Sequence, residues 1–134
     1  GAELLLGGKR NGAFVEPTVL SRVTKDMDIA KDMEVFGPVF PIITFDTFEE
    51  AIDIVNNTKY GLNSSIFTKD MNKAIEAGNR IEAGIVSING GTCYRPICSA
   101  FGGYKKSGIG REGTSYTLEE LTQLKSIVLR GVMN

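Results

Sequence analysis

The chain has no histidine and no tryptophan, only two cysteines and four prolines in 134 residues, and no apolar run long enough for a membrane-spanning helix. Without histidine the usual Cys/His zinc sets cannot be assembled, so no metal site is expected. A cysteine nucleophile activated by a histidine base is excluded on the same ground. Cys93 and Cys98 then read as ordinary reduced thiols. Charge of one sign is also missing: 15 basic against 16 acidic side chains leave a net charge of −1. No long-range field gathers nucleic acid or acidic lipid, and neither is expected as a partner. The opening GAELLLGGKR holds too short an apolar core for a signal peptide, so a cytoplasmic setting is expected.

What is present is the balance of a globular domain, 42% hydrophobic and 23% charged residues. The chain starts at Gly1 without methionine and runs almost at once into a strand-like segment, which suggests a fragment or processed product. AELLLGG and AFVEPTVLSRV read as strands, with Pro17 forcing a bend or an edge position. A short helix is expected in DMDIAKDM, ending before Glu34, because Gly37 and Pro38 break regular structure. VFPIITF, NSSIFTKD and AGIVSING are strand candidates, with helices between them.

The first of these helices carries Thr47 and Glu50 as a capping box and Phe48, Ala51, Ile52 and Val55 on one face. The second starts at Asp70, with Met71, Ala74, Ile75 and Gly78 along one side. Strand, helix, strand, helix, strand points to an α/β fold with a mainly parallel sheet and flanking helices. Residues 90–113 read as a glycine-rich loop carrying the paired Lys105 and Lys106. A last helix, capped by Thr117 and Glu120, and a terminal strand SIVLRGV complete the reading.

Gly108, Gly110 and Gly113 in SGIGREG have the G-x-G-x-x-G spacing of a dinucleotide-binding turn. That chemistry needs an apolar strand leading into the turn, and FGGYKKS offers none. The glycines are read instead as a turn that lets irregular backbone pass close to a neighbour.

In order, GAFVEPTVL, EVFGPVFPIITF, NNTKYGLNSSIFT, AGIVSIN and FGGYKKSGIGREG resemble the C-terminal quarter or so of the NAD(P)-dependent aldehyde dehydrogenase superfamily, from about Gly12 to about Val128. The resemblance implies part of a catalytic domain over residues 1–122 and an oligomerisation strand over 123–134, in a homodimer or tetramer. It implies NAD or NADP as cofactor and a small aldehyde as substrate. Glu34 falls on the glutamate that accepts hydrogen bonds from the nicotinamide ribose, and Phe36 and Leu62 on apolar neighbours of the nicotinamide. Phe101 falls on a wall of the aldehyde pocket. Arg95, the one charge in the substrate-loop stretch GGTCYRPICSA, is assigned to an aldehyde bearing a carboxylate or phosphate, which a planar guanidinium suits. The catalytic cysteine and the general-base glutamate would lie upstream, and neither Cys93 nor Cys98 matches the nucleophile's motif. The chain would therefore need the upstream portion of its own enzyme and be inactive alone. The alternatives are a stand-alone α/β binding module and a subunit-assembly segment.

Overall fold

The computed structural model describes residues 1–131. In chain order the elements are β1 (Glu3–Leu6), β2 (Arg10–Asn11), β3 (Phe14–Val15), β4 (Thr18–Ser21), a 3₁₀ turn (Asp28–Ala30), β5 (Val39–Pro41), α1 (Phe48–Asn56), β6 (Tyr60–Gly61), β7 (Asn63–Ile66), α2 (Met71–Arg80), β8 (Ile85–Ile88), β9 (Tyr104–Lys105) and α3 (Thr114–Leu121).

Among the described residues these form a mixed α/β unit with four small sheets rather than one mainly parallel sheet. β4–β5 and β7–β8 pair in parallel, whereas β1–β4, β2–β3 and β6–β9 are antiparallel. The reason lies in the connections: β1 returns to β4 through the short β2–β3 hairpin, which leaves no room for a crossover helix. The parallel pair β7–β8 does use one, and α2 lies between its strands in sequence.

Both long helices begin at side-chain caps. Thr47 Oγ1 accepts from the Glu50 amide at 3.1 Å, and Glu50 returns a carboxylate to the amide of Asp46 at 2.9 Å, one residue before the cap. Asp70 Oδ1 accepts from the amides of Asn72 and Lys73. The helices bring Ile52 of α1 against Ala77 of α2, Ile81 and Ala83, with Phe48, Ile66 and Val86 around them. On α2 the buried side is Ala74 and Ala77; Met71 and Ile75 are exposed, so the expected stripe is rotated toward the small residues. Alanines allow close approach of the helix to β8. Outside, Arg80 clasps Glu76 one turn back and Glu49 of α1. The hydrogen bond from Arg80 holds the Glu49 carboxyl below its ordinary value. Such a depressed carboxylate contributes stability above its unfolded pKa and loses it as pH falls through the folded value.

The helix expected after a Thr117 cap starts earlier. Gly113 occupies the cap position with φ +137°, and Thr117 lies inside α3 with its Oγ1 accepting from the Gly113 amide. Of the expected terminal strand, Ser126–Gly131 carries no strand among the described residues, and Val132 lies outside them. Leu124, Ile127, Val128 and Leu129 are exposed.

Candidate active-site wall

A cleft of about 480 Å³ opens between the loop after the 3₁₀ turn and the segment that follows α1. Glu34 and Met33 line one side, Val55, Thr58, Tyr60 and Leu62 the other, while Ile81 and Ala83 contribute apolar surface from the core. Glu34 and Leu62, assigned together from sequence, thus share one cavity. No side chain among the described residues hydrogen-bonds or ion-pairs with the Glu34 carboxylate, so its acceptor oxygens are available to a ligand's hydroxyls.

Phe36 is placed differently. It is 90% exposed, does not line this cleft, and holds φ +50° just before Gly37 and Pro38. A bulky residue in the left-handed region carries a strain of about 1–3 kcal/mol, so the neighbouring chain fixes this turn. The Val39 amide donates to Gly37 O, and the Thr18 amide reaches Pro38 O.

Leu62 also borders a second cleft, of about 310 Å³, shared with Phe101, Gly102, Ile109 and Arg111. The Arg95 guanidinium does not line this cleft but lies 4.6 Å from the centroid of the Phe101 ring, which does. The two residues assigned separately to a substrate pocket therefore meet, Arg95 over the aromatic face of Phe101. Their loop is tied at both ends: Asn63 Nδ2 donates to Thr92 O, and Phe101 exchanges backbone hydrogen bonds with Glu112.

The SGIGREG stretch closes this second cleft. Gly108, Gly110 and Gly113 all have positive φ, between +78° and +137°. The strand before the turn is the two-residue β9, antiparallel to β6, so the strand–turn–helix geometry of a dinucleotide site is not formed here. Arg111 fills the turn itself: Nη1 donates to the carbonyls of Gly103 and Gly110, the guanidinium lies over Tyr104, and its amide donates to Glu120. Glu120, read from sequence as half of a capping box, thus holds the preceding loop.

Several contacts that shape the larger cleft have no local signature. Asp32 Oδ1 accepts from the Lys59 amide at 2.9 Å and from Thr58 Oγ1 at 3.4 Å, with Lys59 Nζ 3.8 Å from its other oxygen. The backbone N–H of Lys59 holds the Asp32 carboxyl below its ordinary value. Asn56 donates from Nδ2 to Arg80 O and accepts at Oδ1 from the Glu82 amide. Lys105 Nζ donates to the carbonyls of Asn56 and Thr58 and pairs with Glu82. Ser107 Oγ accepts from the Gly61 amide. No single stretch of sequence contains both ends of these contacts.

The chain is similar over nearly its whole length to known proteins. A lactaldehyde dehydrogenase of Methanococcus maripaludis is 42% identical over 132 residues, which is 98% of this chain and 28% of that protein. The crystal structure of aldehyde dehydrogenase 21 from Physcomitrella patens, in complex with the reaction product succinate, superposes with a TM-score of 0.90 at 44% identity, over 98% of this chain and 27% of that one. Glyceraldehyde-3-phosphate dehydrogenase of Methanocaldococcus jannaschii, complexed with NADP, gives 0.89 at 48% identity, over 95% and 27%. The chain thus spans little more than a quarter of the length of these proteins. Residues 1–127 match the profile of the aldehyde dehydrogenase family, and with these identities the chain belongs to that family.

Proposed function

We propose that this chain forms one wall of the cofactor and aldehyde sites of an NAD(P)-dependent aldehyde dehydrogenase that oxidises an aldehyde to a carboxylic acid. The carrying observation is the shared cleft: an unpartnered carboxylate, Glu34, faces a cavity whose other wall includes the apolar Leu62. That pairing fits a nicotinamide riboside, whose hydroxyls need an acceptor and whose ring needs apolar contact. When bound, the nicotinamide accepts hydride from the substrate. Glu34 would orient the ribose, Leu62 would exclude water beside the ring, and Phe36 would supply an aromatic contact from its exposed position. The NADP complex of the Methanocaldococcus relative supports this cofactor class.

The nucleophilic cysteine and the general base are assigned to the part of the enzyme upstream of this chain, which accordingly has no activity alone. The apolar cleft between α1 and β7, lined by Phe45, Phe48, Ile52, Ile66 and Phe67, is assigned to the packing of that part. The exposed Leu124–Leu129 segment is assigned to pairing between subunits of a homodimer or tetramer. Residues 1–122 and 123–134 are thus a catalytic portion and an assembly segment.

Glu34→Gln in the complete enzyme tests the cofactor assignment. The substitution keeps the shape but replaces one acceptor by a donor and removes the charge, so the dissociation constant for NAD(P) is expected to rise about tenfold, or about 1.4 kcal/mol. Unchanged affinity in a calorimetric titration rejects the assignment.

Arg95 is assigned to the anionic end of the substrate. The support is its place on the Phe101 ring beside the second cleft, together with two relatives named for succinate as product and for glyceraldehyde 3-phosphate. Arg95→Ala should lower kcat/KM about tenfold for aldehydes carrying carboxylate or phosphate, and leave a neutral aldehyde within about twofold. A selectivity ratio equal to that of the unaltered enzyme rejects this role.

A further inference from the structure

We infer that Asp32 is a positioning residue for the Glu34 carboxylate, tying the loop that carries Glu34 to the opposite wall of the same cleft. This inference rests on the cofactor role assigned to Glu34 above and concerns how that carboxylate is held in place.

The segment from Lys31 to Pro38 has few ties of its own. Its backbone amides at Lys31 and Met33 turn back on Asp28 O, and its far end is fixed through Pro38 O to Thr18. Between these anchors lie Glu34, exposed Val35 and the strained Phe36, with neither helix nor strand to set their direction. The side chain of Asp32 makes the crossing. It receives the Lys59 amide and the Thr58 hydroxyl from the turn after α1, and Thr58 lines the cleft opposite Glu34. That turn is itself rigid: Thr58 Oγ1 accepts from the Tyr60 amide, and Lys105 Nζ grips Thr58 O and Asn56 O. Asp32 therefore fastens a poorly constrained loop to a well-constrained one, two residues from the carboxylate in question.

A backbone N–H is the main partner, so the acceptor oxygen matters more than the charge. Asparagine retains that acceptor and alanine removes it. The carboxyl is held below its ordinary value chiefly by the Lys59 amide. The charged groups facing it are Lys59 and Lys31.

The test is a double-mutant cycle on cofactor affinity in the complete enzyme, with calorimetric titration of NAD(P) into the unaltered protein, Asp32→Ala, Asp32→Asn, Glu34→Gln and the Asp32→Ala/Glu34→Gln pair. Asp32→Ala is expected to raise the dissociation constant about fivefold and Asp32→Asn less than about twofold. In the Glu34→Gln background, Asp32→Ala should add less than about twofold, because the group it positions has been removed. A factor for Asp32→Ala that is the same in both backgrounds overturns the inference while leaving the Glu34 role intact, since it would mark Asp32 as merely structural. An unaltered affinity in Asp32→Ala overturns it too. If Glu34→Gln alone has no effect, the ribose assignment falls and the inference falls with it. Should Asp32→Ala fail to fold, Asp32→Asn decides: about fivefold weakening overturns the claim that acceptance from Lys59 is what counts, and near-native affinity upholds it.

Discussion

Alanine at Gly84 is expected to destabilise the protein by at least about 3 kcal/mol and to remove most soluble product. The cause is space rather than dihedral preference. A Cβ at Gly84 would fall onto the carbonyl oxygen of Gly102, with the carbonyl carbon of Gly102 and the Cα of Gly103 immediately behind it. Those atoms belong to backbone, and they cannot withdraw. Gly103 is buried and already so close to Ser107 that it too has no room for a methyl group, while Phe101 is held by its paired hydrogen bonds to Glu112. On the other side, the Gly84 amide donates to Gly61 O, so the strand entering β8 is fixed as well. Gly78 serves as the control. It lies within α2, and a Cβ there meets nothing within 4 Å, so Gly78→Ala should stabilise the helix by about 0.5–1 kcal/mol. Denaturation temperature and soluble yield of the two variants decide the matter; a Gly84→Ala protein that melts with the unaltered enzyme would show that the two backbones can part.

Asn56→Leu is expected to cost about 1–3 kcal/mol and, on the cofactor role proposed above, to weaken NAD(P) binding as a consequence. Asn56 ends α1 and turns both of its polar atoms on the end of α2, satisfying Arg80 O at 2.8 Å and the Glu82 amide at 2.9 Å. Leucine of similar volume leaves the half-buried Arg80 carbonyl without a partner, at about 1–3 kcal/mol for a group removed from water, while the exposed Glu82 amide can turn to solvent. Ile81 and Ala83, between and beside those groups, form the apolar floor of the Glu34 cleft. Asn56→Asp separates the two bonds, since it keeps the acceptor for Glu82 and loses the donor to Arg80. Its loss of stability should be smaller than that of the leucine variant. Equal melting of Asn56→Leu and the unaltered protein would mean that water replaces both bonds.

Much of the local structure is legible in the sequence because its causes are local. Thr47 and Asp70 announce helices that begin one residue later, since a cap acts over three residues of sequence. The strands around Pro17 and in NSSIFT and AGIVSI are legible from composition and breakers. Sheet pairing is not: an alternating or apolar run says that a strand forms and not which strand it joins, and β6 and β9, which pair, lie more than 40 residues apart. The start of α3 departs from expectation because Gly113 caps without a side chain, while Thr117 and Glu120, which have the right spacing, bond backward to Gly113 and Arg111. Glu34, Leu62 and Phe101 are proposed from ordered motifs, and Arg95 from its being the one charge in its loop. Asp32 and Asn56 escape a reading of the sequence because the amides they bind, those of Lys59 and Glu82, lie 27 and 26 positions away, beyond any pattern of period two or 3.6.

The tying of the 92–101 loop at both ends has a further meaning for protein engineering. The stretch carrying Arg95 hangs between Asn63's hold on Thr92 and the Phe101–Glu112 bridge, and its residues from Gly91 to Cys98 are exposed. It is an exchangeable cassette on a fixed mount. Lengthening it costs only about 0.6 kcal/mol per doubling in loop closure, far less than any change to the glycine frame beneath. Changes confined to 93–100 can therefore vary the loop's chemistry while the glycine frame and the Glu34 cleft keep their shape, at little cost in stability.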